Sequence, residues 1–248
     1  MSLQGSVRNA LIIESKENRV PMDIAIPNDI RKIQKVFKAN GKQLFVVGGS
    51  IRDAILGKDP KDWDLATDAK PDEVISILKD APFIKNIIET GKAFGVINAF
   101  TNDDEVAITT SDEFEIATFR KDSSTGDGRR PDTVEFTDIY TDVHRRDLSC
   151  NALFFDLDTN EVVDLVGGIE DIKNGVVRTV GDASERFDED KLRILRAIRF
   201  AGRFGSEVDA DIDKVLSKGV DMSQVSGERV RDEFIKGIKT SKSTVHFL

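Results

Sequence analysis

Residues 44–64 constrain this chain more than any other stretch. A short apolar run, Leu44-Phe45-Val46-Val47, meets Gly48 and Gly49, and a helix-forming segment, Ser50-Ile51-Arg52-Asp53, follows at once. Lys61-Asp62-Trp63-Asp64 then places two carboxylates on alternate residues. Glycines let the backbone turn tightly and approach a ligand, and a helix opening at Ser50 presents N–H groups that favour a phosphate. Residues two apart on a strand share a face, so Asp62 and Asp64 are candidates to hold the same metal ions. A phosphate cradle beside paired hard-oxygen ligands implies Mg²⁺-dependent nucleotide chemistry. Each part alone has a plainer meaning: an Asp-x-Asp in a chain with 45 acidic residues can be a solvated loop, and Gly-Gly an ordinary turn. The signal is the order strand, Gly-Gly, helix, Asp-x-Asp within a short span.

Composition narrows the class. The absence of any apolar run of membrane-spanning length, and of a charged-then-apolar leader, predicts a cytoplasmic protein with no membrane partner. The single cysteine, Cys150, excludes an internal disulfide and reads as a small core residue. Two histidines, His144 and His246, argue against a zinc site. The net charge of −9 opposes tight, extended binding to nucleic acid, yet the arginines cluster at 129–130, 145–146 and 193–203. A local basic face on an acidic body fits that distribution.

Periodicity and punctuation place the elements. A short strand is expected at 22–26, a helix from Pro27-Asn28-Asp29 to Ala39, a buried strand at 44–47 and a short helix at 50–56. A carboxylate-bearing strand is expected at 63–66, a helix from Pro71 to about Lys79, and strands at 94–100, 105–108 and 114–119. The Gly-rich, charged stretch 123–131 reads as a loop, and strands at 152–156 and 161–165 flank an Asp158-Thr159-Asn160 turn. From Gly168 the pattern is helical, with breaks near Gly181 and Gly205. The fold class is therefore α+β, a mixed-sheet unit followed by an all-α segment. The division predicted is an N-terminal extension at 1–26, a catalytic unit at 27–167 and a helical unit at 168–248. The apolar end Thr244-Val245-His246-Phe247-Leu248 carries no helix-stop signal, which reads as truncation.

GGSIRDAILGKDPKDWDLATDAKPDEV, residues 48–74, resembles the signature of class II template-independent RNA nucleotidyltransferases. These are the tRNA CCA-adding enzymes and bacterial poly(A) polymerases of the polymerase-beta-like superfamily. Further blocks follow in the family's order: EIATFRKD (115–122), DGRRPDTVEF (127–136), RRDLSCNAL (145–153), EDKLRILRAIRFAGRFG (189–205) and SGERVRDEF (226–234). The resemblance covers roughly 27–240. It implies a nucleotidyltransferase head followed by a helical neck, with the family's further body and tail regions missing, so that RNA is gripped weakly. It also implies ATP and CTP as substrates, a tRNA 3′ end as acceptor, and Mg²⁺ as cofactor.

The resemblance carries roles to individual residues. Asp62 and Asp64 are the metal ligands and Glu115 a third carboxylate, turned by strand alternation away from the Phe114/Ile116 face. Gly48, Gly49 and Ser50 would contact the triphosphate, with Arg52 adding charge nearby; on residue pattern alone Arg52 and Asp53 read as a helix-surface pair. Arg145, Arg146, Asp147 and Asn151 belong to the block for ribose and phosphate recognition, where Leu148-Ser149-Cys150 departs from the family's usual residues. Glu189, Asp190 and Arg193 form the base-reading block. Asp190 and Arg193 are expected on one helix, three apart and facing the same way. A carboxylate then accepts from the exocyclic amino group of C or A, and a guanidinium donates to the neighbouring ring nitrogen. Guanine and uracil reverse that pattern. Arg196 is expected to face nucleotide and primer phosphates, Arg199 and Arg203 to remain on a solvated basic face, and Ser226-Gly227-Glu228-Arg229 to be a structural helix start.

The activity this implies is addition of CMP and/or AMP to the 3′ end of tRNA by a two-metal mechanism. Two alternatives stand beside it. One is a poly(A) polymerase, which shares the same blocks; the other is a non-catalytic nucleotide- or RNA-binding module, or one half of a two-chain enzyme.

Overall fold

The computed structural model describes residues 18–60, 62–102, 113–123 and 133–242. Its framework is an eight-stranded sheet in the order β1-β10-β9-β2-β3-β6-β5-β4. The strands are β1 (Asn18–Pro21), β2 (Leu44–Val47), β3 (Asp64–Thr67), β4 (Ile84–Ile88), β5 (Val96–Thr101), β6 (Glu113–Thr118), β9 (Leu153–Asp156) and β10 (Glu161–Asp164), with β7 (Arg120–Asp122) and β8 (Val134–Phe136) in a separate two-stranded ribbon. All neighbours in the large sheet are antiparallel except β3 and β6. A parallel pair needs a long crossover, and helix α3 (Pro71–Leu78) with strands β4 and β5 provides it.

Strand alternation divides the sheet's two faces. Val46, Leu65, Ile116 and Phe155 point into the larger core, where α1 (Asn28–Ala39) lays down Ile30, Ile33 and Phe37 at helical spacing. Phe45, Val47, Ala66 and Phe154 point the other way, into a smaller cluster built on the rings of Phe45, Phe119 and Phe154, whose centroids lie 5.7–6.3 Å apart. The carboxylate-bearing ends of β3 and β6 share this second face.

After β10 the described elements are helical: α5 (Gly168–Asn174), α6 (Ala183–Glu189), α7 (Leu192–Phe204), α8 (Ala210–Leu216) and α9 (Gly227–Thr240), with α2 (Gly49–Ile55) following β2 and the short α4 (Ile139–Asp142) standing before β9. Asp182, Asp209 and Ser226 cap α6, α8 and α9 by accepting from Glu185 N, Ile212 N and Arg229 N. The larger core runs on without interruption through Ile169, Phe187, Ala197, Phe200 and Ile212. At the passage from sheet to helices the buried Asp164 carboxylate accepts from the backbone N–H groups of Val166, Gly167, Gly168 and Ile169 at 2.8–3.2 Å.

Several expectations shift. The N-terminal strand is β1 at Asn18–Pro21, in register with β10, rather than 22–26; Ile24 instead drops into the core. The alternation at 22–26 marks a buried face, but the four residues of β10 take their partners one step earlier. Strand β4 and the β7–β8 ribbon were not anticipated: Ile84-Lys85-Asn86-Ile87-Ile88 does not alternate strictly, and the ribbon strands are three residues each. The expected strand at 105–108 and most of the loop at 123–131 lie outside the described residues. The breaks at Gly181 and Gly205 are present, both with positive φ.

Gly168 is held by space. A Cβ there would lie 3.0 Å from the carbonyl carbon of Ser149 and closer still to its oxygen, which is backbone and cannot swing aside. Gly168→Ala is expected to destabilise the protein by about 1–3 kcal/mol. Gly227, at the start of α9 with open space around it, should instead gain about 0.4–1 kcal/mol on changing to Ala. Urea unfolding of the two variants checks the contrast.

Candidate active site

A cleft of about 480 Å³ opens between the Gly48-Gly49 turn, the start of β3 and the beginning of α7. Eleven of the residues singled out from sequence line it: Gly48, Gly49, Arg52, Asp64, Arg145, Arg146, Asp147, Asn151, Asp190, Arg193 and Arg196. Leu192, Phe200 and Arg229 complete the wall.

The turn is shaped by its glycines. Gly48 has φ 76° and ψ −124°, which a side chain would strain, and its N–H donates to Leu153 O at 3.1 Å. A Cβ on Gly49 would stand 3.3 Å from Arg52 Nη2, so the bare backbone lets that guanidinium fold back across the turn. Arg52 is not on a helix surface; it is 5% exposed. It donates to Asp53 Oδ1 from Nε and Nη2 (3.1 and 3.0 Å) and to Asn151 Oδ1, and lies over the Phe200 ring at 4.9 Å. Burial pulls its pKa down, opposed by Asp53. Ser50 is buried and its hydroxyl donates to Val47 O at 3.4 Å, so it does not line the cleft.

The next wall is built on two carboxylates. Asp147 accepts from Arg196 Nε (2.6 Å), Leu148 N (2.8 Å) and Asn151 Nδ2 (3.3 Å). Burial pushes its carboxyl up, but Arg196 and these hydrogen bonds outweigh it and hold the pKa low. Asp147 in turn raises that of Arg196. Asp142, which the sequence reading passed over, is 1% exposed and pairs with Arg145 (2.8 Å) and Arg146 (3.0 Å). The signal was its i, i+3 and i, i+4 spacing to the two arginines. Arg146 also lies over Phe154 at 4.5 Å. Cys150, behind this wall, is fully buried with its thiol pushed up to about 12, and is an inert core residue.

The acidic corner follows from register. Leu65 pairs with Ile116 in the parallel β3–β6 ladder, so Asp64 and Glu115 stand one step earlier on adjacent strands, both opposite the larger core. Asp62 precedes β3, and the buried Trp63 separates it from Asp64. Burial and then Asp62 hold the Asp64 carboxyl above its ordinary value; burial and then Asp64 do the same to Glu115. Asp62 and Glu115 lie beyond the cleft wall itself. Among the described residues, no three His, Cys, Asp or Glu side chains are gathered closely enough to hold a metal ion. The donor chemistry still fits a hard divalent cation, because adjacent carboxylates on one face repel one another and a cation would relieve them.

The base-reading block needs correction. Asp190 and Arg193 do not share a helix: α6 ends at Glu189, α7 starts at Leu192, and Asp190 is extended between them (φ −151°, ψ 105°). Asp190 accepts from Leu192 N (3.0 Å) and pairs with Arg229 (2.7 Å). Arg193 pairs with Glu189 (2.6 Å) and donates to the carbonyls of Arg186 and Arg145. Both face the cleft without touching each other's charge, because Asp190 is used to start α7. Glu189 points to a neighbouring cavity instead. Arg229 was read only as part of a helix start, and its side chain closes the cleft. The basic face of α7 is not solvated either: Arg199 is buried against Glu233 and Arg203 reaches Asp53 at 2.8 Å.

A carboxyl whose pKa is raised by folding is easier to keep neutral, so its contribution to stability is full below the unfolded-state pKa and lost as pH rises through the folded one. Asp64→Asn is therefore expected to raise the melting temperature of the metal-free protein at neutral pH. The gain should vanish in acid and shrink when a divalent cation is supplied. Thermal unfolding with and without chelator reads this out; an Asn variant that melts lower at neutral pH would contradict the charge crowding.

The model of the Poly A polymerase head domain matches residues 44–178. The CCA-adding enzyme of Leuconostoc mesenteroides is 38% identical over 218 residues, covering 87% of this chain and 51% of the relative. The crystal structure of the Bacillus stearothermophilus CCA-adding enzyme in complex with CTP matches with a TM-score of 0.71 at 28% identity, over 87% of this chain and 50% of that one. The Thermotoga maritima CCA-adding enzyme complexed with tRNA matches with a TM-score of 0.71 at 25% identity, over 96% and 52%. This chain spans about half the length of the curated relatives it matches.

Proposed function

Because the chain belongs to the Poly A polymerase head domain family, we propose that it transfers CMP and AMP from CTP and ATP to the 3′ end of tRNA. The observation that carries the reading is one cleft that gathers the Gly48-Gly49 turn, Asp64 and the Asp190/Arg193 block. A phosphate-compatible turn, a cation-binding carboxylate and a base-reading pair are the three things a template-free polymerase has to bring within one nucleotide's length. The complexes with CTP and with tRNA that the similar structures contain support the substrates.

In this reading Arg145 and Arg146 face the triphosphate beside the glycine turn, and Arg52 holds that turn in shape. Asp147 and Asn151 take the ribose, where a hydroxyl can both donate and accept. Asp190 retains accepting capacity after its bonds to Leu192 N and Arg229, and Arg193 keeps unused guanidinium donors, so the pairing edge of C or A can be met on both sides. Asp62 and Asp64 would hold Mg²⁺, with Glu115 a third carboxylate on the neighbouring strand. When bound, Mg²⁺ supplies activation of the attacking 3′-hydroxyl and neutralisation of the leaving pyrophosphate. The division into a head at 27–167 and a helical neck from 168 belongs to the same reading, supported by the last strand ending at Asp164 and helices beginning at Gly168. A cytoplasmic setting accords with a tRNA substrate; among the described residues no helix is long and apolar enough to cross a membrane.

The test is incorporation of labelled CMP and AMP into tRNA lacking its terminal CCA, with Mg²⁺ present. Both labels are expected to enter, and Asp62→Ala or Asp64→Ala to lose more than tenfold in rate, a barrier increase above ~1.4 kcal/mol. AMP incorporation without CMP would indicate poly(A) synthesis instead.

Nucleotide choice gives an independent check by equilibrium binding. CTP and ATP should bind more tightly than GTP and UTP, each mismatched edge costing on the order of 1–3 kcal/mol. Asp190→Ala should flatten the preference while leaving triphosphate binding in place. Equal parental affinity for all four nucleotides would remove the base-reading assignment.

A further inference from the structure

A second cavity, of about 230 Å³, lies on the far side of Arg145 and Arg193, which line both it and the nucleotide cleft. Lys121 on β7, His144 and Arg186 on α6 add to its wall. We propose that this cavity seats a phosphodiester of the single-stranded RNA whose 3′ end enters the nucleotide cleft. The proposal rests on the nucleotidyltransferase reading above and adds a strand-binding subsite to it.

Charge is the first support. The chain as a whole carries −9, so a polyanion is not drawn to it generally and has to be recognised locally. In this wall four permanent cations, Lys121, Arg145, Arg186 and Arg193, stand against two carboxylates, Asp122 and Glu189. Glu189 is shared by Arg186 (2.5 Å) and Arg193 (2.6 Å), Asp122 is taken by Arg120 (2.8 Å) with Arg145 at 4.0 Å, and Arg145 also meets the buried Asp142 beneath the wall (2.8 Å). The carboxylates are therefore already committed, and an excess of positive charge is left.

Free donors are the second. Among the described residues the side chains of Lys121 and His144 make no hydrogen bond or ion pair, although each lines a cavity already rimmed by guanidinium groups. Arg186 donates to His144 O at 2.8 Å, which fixes the His144 turn against α6. Size is the third. The cavity has roughly half the volume of the nucleotide cleft, suited to a phosphate and part of its sugar rather than to a second nucleoside triphosphate. The shared wall supplies direction: a strand with one phosphate here passes Arg145 and Arg193 to reach the cleft.

A fluorescein-labelled RNA hexamer, titrated by anisotropy into the full chain at about 50 and 200 mM salt, tests the assignment without any need for turnover. Lys121→Glu with His144→Ala is expected to weaken the hexamer about tenfold at the lower salt. It should also flatten the slope of log K against log salt by about 0.7 for each phosphate no longer neutralised. CTP and inorganic pyrophosphate affinities should stay within about twofold of the parent, which also reports that the variant is folded; Lys121→Ala is the milder substitute if it is not. Unchanged hexamer affinity would overturn the proposal. A loss of pyrophosphate binding in place of RNA binding would assign the cavity to the leaving group and overturn it equally. If the parent binds no CTP at all, the nucleotidyltransferase reading fails, whatever the hexamer does.

Discussion

A seam of ion pairs between α7 and the segments that flank the sheet, at Asp53 and Asp147, sets the shape on which the candidate site depends. Arg196 meets Asp147 at 2.6 Å and Arg203 meets Asp53 at 2.8 Å, while Arg52 spans Asp53, Asn151 and the Phe200 ring. These groups are largely buried, and burying charge costs solvation that the pairing only partly returns. A hydrophobic seam of equal volume would hold the two parts at least as firmly. What charge adds is geometric specificity: a guanidinium satisfies its carboxylate in few orientations, so the cleft walls are fixed relative to one another. The Asp164 carboxylate, with four backbone donors, fixes the point at which the chain leaves the sheet for those helices.

The acidic corner works in the opposite sense. Asp64 and Glu115 are forced together by β3–β6 pairing, and their ionised forms are disfavoured, whereas Asp147 and Arg196 hold each other charged. The protein thus places strained negative charge and well-paired positive charge within one nucleotide's reach. That separation suits a substrate carrying both a metal-binding phosphate and a phosphate chain that has to be neutralised. It also gives a chain of net charge −9 a local surplus of positive charge, since Arg52, Arg145, Arg146, Arg193, Arg196 and Arg229 stand against three carboxylates around the cleft.

Much of the local structure was legible because short-range signals agreed. Pro71 with Asp72 and Glu73 marks the start of α3, and the four-residue apolar run Leu44–Val47, closed by Gly48-Gly49, has the length and punctuation of the interior strand it forms. The alternation that turns Glu115 away from Phe114 and Ile116 was likewise readable. Strand β4 and the β7–β8 ribbon were not, since their residues become strands by pairing with neighbours rather than by pattern. The same limit explains Arg52 and Arg199, which look like surface charges on a helix and are buried because other elements arrive over them.

The sequence by itself determined the class of chemistry: the Gly48-Gly49 turn, the Asp62/Asp64 spacing and the order of the later blocks all depend on covalent neighbours. Tertiary structure decided the partners. It gave Asp190 to Arg229 and Arg193 to Glu189, turned Ser50 inward, and brought Asp142 beneath Arg145, which lines both cavities, and Arg146, which lines the cleft. Each carboxylate has several cations within reach along the chain, and spacing ranks them almost equally. Only the packing of α9 on α7, and of α7 over the cleft, which excludes water and fixes distance, makes one pairing much stronger than the others.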